Sequence, residues 1–455
     1  MTYPGRIFTV VNRASPASPC SVPRACDVPG GRSARVARVQ QYRVVEICAG
    51  AGGQSLGLEV AGFEHELAVE LDPNAANTLR HNRPHWKVAE GDVASSAVWD
   101  PGQYEGIDLL AGGVPCPPFT IAGKQLGATD ERDLFAWAIE LGATVKPRAL
   151  LLENVRGLSL PRFSAYRQHV LDRLAQLGYA ADWRLLHAAD YGVPQLRPRF
   201  VLVAMGPDDF RYFNWPQPRP GLVKTVGETL HDLMSERDWP GAANWAQRAN
   251  DIAPTIVGGS KKHGGPDLGP TRAKRAWREM GVDALGVADA APAASDPVSL
   301  LPKLTTAMVA RIQGWDDDEY RWTFTGRKTT TYRQIGNAFP PPVARALGDQ
   351  VRRALDHEGT PRDLVEQSNS AHDPVYAILR DDGGFLTMDQ IVRRLAEPMD
   401  VPAFERHLAH LRQDFHIDAD PRKTGDAYRL GDFKAFVGQD DHLRHEAFIK
   451  PTSIS

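Results

Sequence analysis

The stretch "YRVVEICAGAGGQSLGLEVAGF", Tyr42 to Phe63, decides the fold. Val44 to Cys48 is a short apolar run, the pattern of a strand buried on both faces of a parallel sheet. Cys48 and Ala49 lead into Gly50, Gly52 and Gly53, and "QSLGLEVAGF" then reads as a helix. A strand, a glycine turn and a helix in that order bring backbone N–H groups to a ligand at a helix N-terminus. The dinucleotide fingerprint needs a third glycine at position 55, where this chain has Ser55, so the loop does not speak for a nicotinamide enzyme.

Downstream, the same rhythm repeats and each strand ends in chemistry. "HELAVELD" ends at Glu70, next to Leu71, and an acid in that place accepts both hydroxyls of a ribose. "VAEGDVAS" presents Asp92 at the end of a third strand, where a carboxylate can accept from the amino group of an adenine. "GIDLLAGGVP" is a fourth strand and "RALLLENV" a fifth, ending at Glu153 and Asn154. Open α/β sheets build their sites at these ends, so Gly52, Glu70, Asp92, Cys116 and Glu153 are expected on one rim. The fourth strand runs into "GGVPCPPFT", Gly112 to Thr120. Pro115 and Pro117 fix φ, lack an N–H and push their neighbours away from helix. Cys116 therefore sits on a stiff loop, either as a small apolar residue or as a nucleophile held in place.

The whole chain narrows the classes. With 455 residues, 42% of them hydrophobic, it can bury the cores of two or three domains. A net charge of −3 provides no global basic field, so a polyanion must be met by a local patch. Four cysteines, Cys20, Cys26, Cys48 and Cys116, form no CxxC pair or His–Cys cluster, so neither a metal site nor a disulfide framework is expected and a cytoplasmic setting fits. No apolar run is long enough for a membrane span, and residues 1–40, rich in Pro, Gly and Arg, lack a secretory h-region and read as a disordered arm.

"EICAGAGG", "GGVPCPPFT", "LLENVRG", "ADYGVPQLRPRFVLVAM" and "YRQIGNAFPPPVARALG" occur in that order. Together they closely resemble the ordered motifs of the bacterial cytosine-5 DNA methyltransferases, over about residues 43–205 and 300–355. The family usually has an aromatic residue where this chain has Cys48, which removes one expected ring contact to the cofactor. The resemblance implies an α/β, Rossmann-like core that uses S-adenosyl-L-methionine and transfers methyl to carbon 5 of cytosine in DNA, within a restriction–modification system. It implies cofactor contacts at Cys48, Ala49, Gly50, Gly52, Gly53, Glu70, Leu71, Asp92 and Asn337. The implied catalytic set is Cys116 as nucleophile on carbon 6, a protonated Glu153 donating to ring nitrogen 3, Arg199 on the carbonyl oxygen at position 2, and Arg197 supporting that pocket or a phosphate. A thiolate suits such an addition because it is strongly nucleophilic and can leave again. A base inside a duplex is out of reach of this chemistry, so the cytosine must flip out.

The domain plan expected is a core over 41–205, a smaller irregular target-recognition domain over 206–303, a return segment over 304–355, a linker over 356–371 and a winged-helix-like domain over 372–440. Residues 206–303 break the strand–helix rhythm, and Thr255-Ile256 followed by Gly258-Gly259 resembles the Thr–aliphatic signature of the family's recognition domain. Lys261, Lys262, His263, Arg272, Lys274 and Arg275 read as a basic, glycine-interrupted loop able to enter a groove, and Gln195 of the Gln-x-Arg-x-Arg element joins the DNA-contacting set. The tail shows three helical patterns and then strand–turn–strand, whose recognition helix would carry Arg406, His407 and Arg412. The expected partners are double-stranded DNA, bound by a monomer, and a cognate restriction endonuclease acting independently, with no membrane. Two rivals stand beside this reading. One is a transfer-RNA methyltransferase of the same fold, against which the long 206–303 insertion argues. The other is a catalytically idle DNA-binding regulator, against which the intact Cys116, Glu153 and Arg199 argue.

Overall fold

The computed structural model describes residues 8–9, 41–114, 132–219, 221–258, 266–315, 319–366, 373–422 and 425–434. Its centre is a seven-stranded mixed sheet. The elements run β1 (Tyr42–Ile47), α1 (Gly53–Val60), β2 (Phe63–Glu70), α2 (Pro73–Asn82), β3 (Val88–Glu90), β4 (Leu109–Gly113), α3 (Arg132–Val145), β5 (Ala149–Val155), α4 (Ser164–Gln176), β6 (Ala180–His187) and β7 (Pro198–Met205). The spatial order is β3-β2-β1-β4-β5-β7-β6. Strands β1 to β5 are parallel, and β7 runs antiparallel to both β5 and β6. The reversal has a local cause. Only residues 188–197 separate β6 from β7, too few for the helical crossover that a parallel neighbour needs, so the pair closes as a hairpin.

Successive residues of β1 feed opposite faces, as strand geometry requires. Val45 and Ile47 join the core formed with α3 and α4, while Val44 joins the one formed with α10 (Pro341–Leu355), the helix of the return segment. Burial on both faces explains why β1, β4 and β5 read as continuous apolar runs.

Four short helices make the smaller unit: α5 (Val226–Ser235), α6 (Ala242–Arg248), α7 (Thr271–Glu279) and α8 (Thr306–Ile312). Their core holds Trp239, Trp245, Trp277 and Trp315, and it extends to Tyr332 and Ile335 of α9 (Lys328–Asn337). The basic loop expected here is in part helical. Arg272, Lys274 and Arg275 lie on α7, whose Ala273 and Trp277 point into the core at helical spacing. Lys261, Lys262 and His263 lie outside the described residues.

The tail forms α11 (Pro374–Asp382), β8 (Leu386–Thr387), α12 (Met388–Val392), α13 (Val401–Asp414), β9 (Phe415–Arg422) and β10 (Gly425–Phe433), with an antiparallel sheet in the order β8-β10-β9. This unit is docked on α4. The Phe433 ring stacks on His169 at 4.4 Å, and Arg380 pairs with Asp172 at 2.8 Å. Within the arm expected to be disordered, Phe8 and Thr9 pair antiparallel with Glu366 and Val365, a β-prone pair set in a Pro- and Gly-rich stretch.

Candidate active site

Parallel register puts the chemistry-bearing residues at one level. Ile47 pairs with Val69 and with Gly112, and Gly113 pairs with Glu153. The ends of β1, β2, β4 and β5 therefore form one rim, with Asp92 two residues past the end of β3.

On the β1 side the chain turns through Cys48 (φ 51°), Gly50 (φ 58°) and Gly52 (φ 94°), all left-handed. Gly52 is required twice over, because its φ disfavours a side chain and a Cβ there would come within 2.6 Å of the Trp322 indole. That indole donates to the Ala51 carbonyl at 2.8 Å, so the return segment clasps the loop. Trp322 was not singled out in the sequence, where it stands in an unremarkable "YRWTFTGR". Gly53 opens α1 against the Phe339 carbonyl, where a Cβ would clash at 2.2 Å, so close packing also requires glycine there.

Glu70 ends β2 with both oxygens engaged: one accepts from the Gly50 N–H at 2.7 Å, the other from the Asp72 N–H at 2.7 Å. Burial pushes its carboxyl above the ordinary glutamate range, against the pull of these donors. Beside it Leu71 is 47% exposed, a large apolar side chain open at the rim. Asp92 accepts from the Ala94 N–H at 3.0 Å. A half-buried Cys48, the Ala49–Gly52 turn, the Glu70 carboxylate and an open Leu71 form a cradle with a carboxylate acceptor and an apolar wall. That acceptor and wall set fits a nucleoside carrying ribose hydroxyls and a flat ring.

On the β5 side Glu153 and Arg199 face each other, Nε to Oε2 at 3.3 Å, each with 8% of its surface exposed. Neither of these two atoms completes a hydrogen bond. Burial raises the Glu153 carboxyl, while Arg199 and then Arg197 pull it down. Gly113 leaves room for this carboxylate, which would stand 3.4 Å from a Cβ there. A buried acid and guanidinium with unfilled bonds at a strand-end rim form a ready receptor for a planar group with a polar edge. Asn154, next in the chain, donates to the Val114 carbonyl at 3.2 Å and so ties β5 to the strand that leads toward Cys116. Cys116 itself lies outside the described residues. The clue to Asn154 was its place beside Glu153 in "LLENV".

Arg197 and Gln195 are corrections. Arg197 is fully buried and donates to the carbonyls of Ile256 at 2.7 Å, Gly336 at 2.8 Å and Ala338 at 2.9 Å. Its two terminal nitrogens are taken up by protein carbonyls and not by a phosphate, while its Nε completes no hydrogen bond; burial, with Arg199 nearby, lowers its pKa well below the arginine range. Gln195, expected on the DNA, is wholly buried; it donates to Gln313 at 2.6 Å and accepts from the Ile256 N–H at 2.9 Å. Ile256 is likewise a core residue, and the Thr255 hydroxyl donates to the Leu196 carbonyl. These four residues bolt the smaller unit to the sheet. The bolt is tight because Gly258 and Gly336 cross at the backbone, a Cβ on Gly336 meeting the Gly258 Cα at 2.6 Å. Asn337 stands at this crossing, with its carboxamide oxygen over Gly258. Lys274 pairs with Asp267 at 2.5 Å, while Arg272 is exposed.

Among the described residues no helix is long and apolar enough to cross a membrane, and no cluster of His, Cys, Asp and Glu could hold a metal ion. A family model described as C-5 cytosine-specific DNA methylase matches residues 42–353. The chain is 61% identical over 412 residues to the Type II methyltransferase M.NaeI of Lentzea aerocolonigenes, a match covering 90% of this chain and 98% of that protein. It is 52% identical over 321 residues to the Type II methyltransferase M.NgoMIV of Neisseria gonorrhoeae, covering 70% of this chain and 99% of that one. M.Eco47II of Escherichia coli, also a Type II methyltransferase, is 34% identical over 342 residues, covering 69% and 80% respectively.

Proposed function

Because the chain belongs to the C-5 cytosine-specific DNA methylase family, it is a site-specific DNA cytosine-5 methyltransferase of the restriction–modification kind, and we propose how its own residues carry that reaction. Glu153 and Arg199 receive the polar edge of a cytosine flipped out of the duplex. The observation that carries this is their pairing, nine-tenths buried at a strand-end rim, with the facing Nε and Oε2 left without hydrogen bonds. Flipping costs a few kcal/mol, which contacts in this pocket offset.

The Cys116 thiolate adds to carbon 6, forming the S–C6 bond and moving an electron pair toward nitrogen 3 and the carbonyl oxygen at position 2. Arg199 lies where that oxygen becomes negative. Burial raises the Glu153 carboxyl and so favours the protonated form, which donates to nitrogen 3 and then accepts from the exocyclic amine. Carbon 5 becomes nucleophilic as a result. After carbon 5 has been methylated its proton passes to water acting as base, nitrogen 3 returns its proton to Glu153, the S–C6 bond breaks, and the thiolate leaves. S-adenosyl-L-methionine, when bound, supplies an electrophilic methyl group on a sulfonium. Glu70, Leu71, Asp92 and the turn from Cys48 to Gly52 would hold it.

We further assign DNA contact to the smaller unit through Arg272 and the segment 259–265, target reading to that unit, and a winged-helix character to the unit from α11 to β10 on its element order. The protein acts as a monomer in the cytoplasm, with a cognate endonuclease working separately on the same site. Bisulfite sequencing of DNA from an expressing host tests the whole reading. Conversion-resistant cytosines at one recurrent sequence are expected, and their absence from an active preparation would overturn it.

A further inference from the structure

We propose that the cleft between α13 and the start of α4 binds a phosphate of the DNA backbone beside the target site. The cleft, ≈ 410 Å³, is lined by Arg167 and Ser164 of α4 and by Arg406, His407 and His410 of α13. Its α13 wall lies beyond the stretch matched by the family model, which ends at residue 353, while its α4 wall lies within that stretch.

Its floor is an uncompensated cation. Arg167 is only 9% exposed, and its Nη1 donates to the carbonyls of Leu158 at 2.8 Å and Leu160 at 2.9 Å. No carboxylate pairs with it among the described residues, and burial alone lowers its pKa to about 10. A guanidinium buried among dipoles without an anion has high affinity for one, because its desolvation cost is already met by the fold.

The opposite wall carries more positive charge. Arg406, His407 and His410 share one face of α13, since residues three and four apart on a helix are neighbours. Arg406 is exposed and forms no ion pair among the described residues. Among the described residues Asp373 is the only carboxylate lining the cleft, and it is already occupied. One of its oxygens caps α11 by accepting from the Val375 and Tyr376 N–H groups, both at 3.0 Å; the other accepts from His407 Nδ1 at 2.9 Å. That bond raises the His407 pKa and favours the imidazolium. The net field in the cleft is positive, and α4, 13 residues long, opens on it without a side-chain cap.

Position selects DNA over a free anion. The segment 156–163 that forms one lip of the cleft is the direct continuation of β5, whose Glu153 faces the flipped base. On this proposal, a duplex presenting a cytosine to Glu153 runs its backbone past this lip. The inference rests on the reading that the chain acts on duplex DNA, which bisulfite sequencing of the wild-type product tests separately.

The experiment is a salt titration of DNA affinity with full-length wild-type protein, Arg406→Ala, and Arg406→Ala combined with His410→Ala. Each is measured on a long duplex and on duplexes trimmed from one flank or the other. Lost phosphate contacts should flatten the slope of log affinity against log salt by about 0.9 each. Trimming the flank that reaches the cleft should flatten the wild-type slope equally and abolish the difference between wild type and variants. Arg406→Lys should keep most of the slope. Thermal midpoint and S-adenosyl-L-methionine affinity serve as fold controls. Equal slopes for all proteins on the long duplex would overturn the proposal, as would a difference that persists on both trimmed duplexes. If inorganic phosphate raises the thermal midpoint of wild type but not of the variants while DNA slopes stay equal, the cleft takes free anion and the DNA assignment falls.

Discussion

Arg197→Met tests whether the buried guanidinium is the bolt between the smaller unit and the sheet. The substitution keeps the approximate length and removes the charge, leaving the carbonyls of Ile256 and Gly336 without their donor, while that of Ala338 keeps Gln313 Nε2 at 2.7 Å. A buried acceptor left unsatisfied costs about 1–3 kcal/mol, so the two together cost about 2–6 kcal/mol. Removing the cation also relieves its own desolvation cost, which is several kcal/mol for a buried ion. The net expectation is a loss of roughly 1–4 kcal/mol, or about 3–12 °C in thermal midpoint for domains of this size. Arg197→Lys retains one donor group and should fall between the two. The assay is thermal unfolding followed by tryptophan fluorescence, a suitable probe because Trp239, Trp245, Trp277 and Trp315 report the smaller unit directly. DNA affinity should fall along with the midpoint, while the isolated sheet keeps its cofactor affinity. A midpoint within about 2 °C of wild type would show that these carbonyls find water as readily as arginine, and the idea of a bolt would be wrong.

Cys116→Ala should abolish transfer of a tritiated methyl group and leave S-adenosyl-L-methionine binding nearly intact; retained turnover would exclude a covalent mechanism. Glu153→Gln should lower kcat by about 10²–10⁴ as expected for loss of a general acid. Because the Glu153 pKa is raised by burial, wild-type activity that depends on its proton is present below that raised value and lost as pH climbs through it, so this alkaline limb should vanish in the variant's kcat profile. Glu70→Ala should weaken cofactor binding by roughly 1.5–3 kcal/mol in calorimetry, the worth of a hydrogen bond to a charged acceptor, and leave DNA affinity unchanged; equal cofactor affinity would refute the assigned cradle. Removing residues 372–455 should leave the methylated sequence as it was, since the docked tail supplies no element of the rim; a new site in bisulfite maps would place target reading in the wrong unit.

The part of the fold that depends on short-range pattern was legible in the residues themselves. Short apolar stretches with glycine or an acid at or just past their ends mark β1, β2, β4 and β5, and strand polarity then places Glu70 and Glu153 on one rim. Local rules suffice there because period and punctuation are properties of neighbouring residues. Long-range partners were not legible. "QLRPR" reads as three polar side chains suited to DNA, yet Gln195 and Arg197 turn inward and only Arg199 meets the rim. Which way each points is decided by carbonyls that lie 59 to 141 residues away, at Ile256 and Ala338. Trp322 closes on Gly52 from 271 residues beyond its Ala51 acceptor, and no spacing in the chain announces that contact. Gly53 likewise looks like a loop glycine until the Phe339 carbonyl comes up against it. The sequence alone determined the family, the order of strands and the acids and thiol that the chemistry needs. Tertiary structure decided which polar groups keep their hydrogen-bonding capacity for a ligand and which spend it on the protein, because burial obliges every donor to find an acceptor wherever the chain brings one.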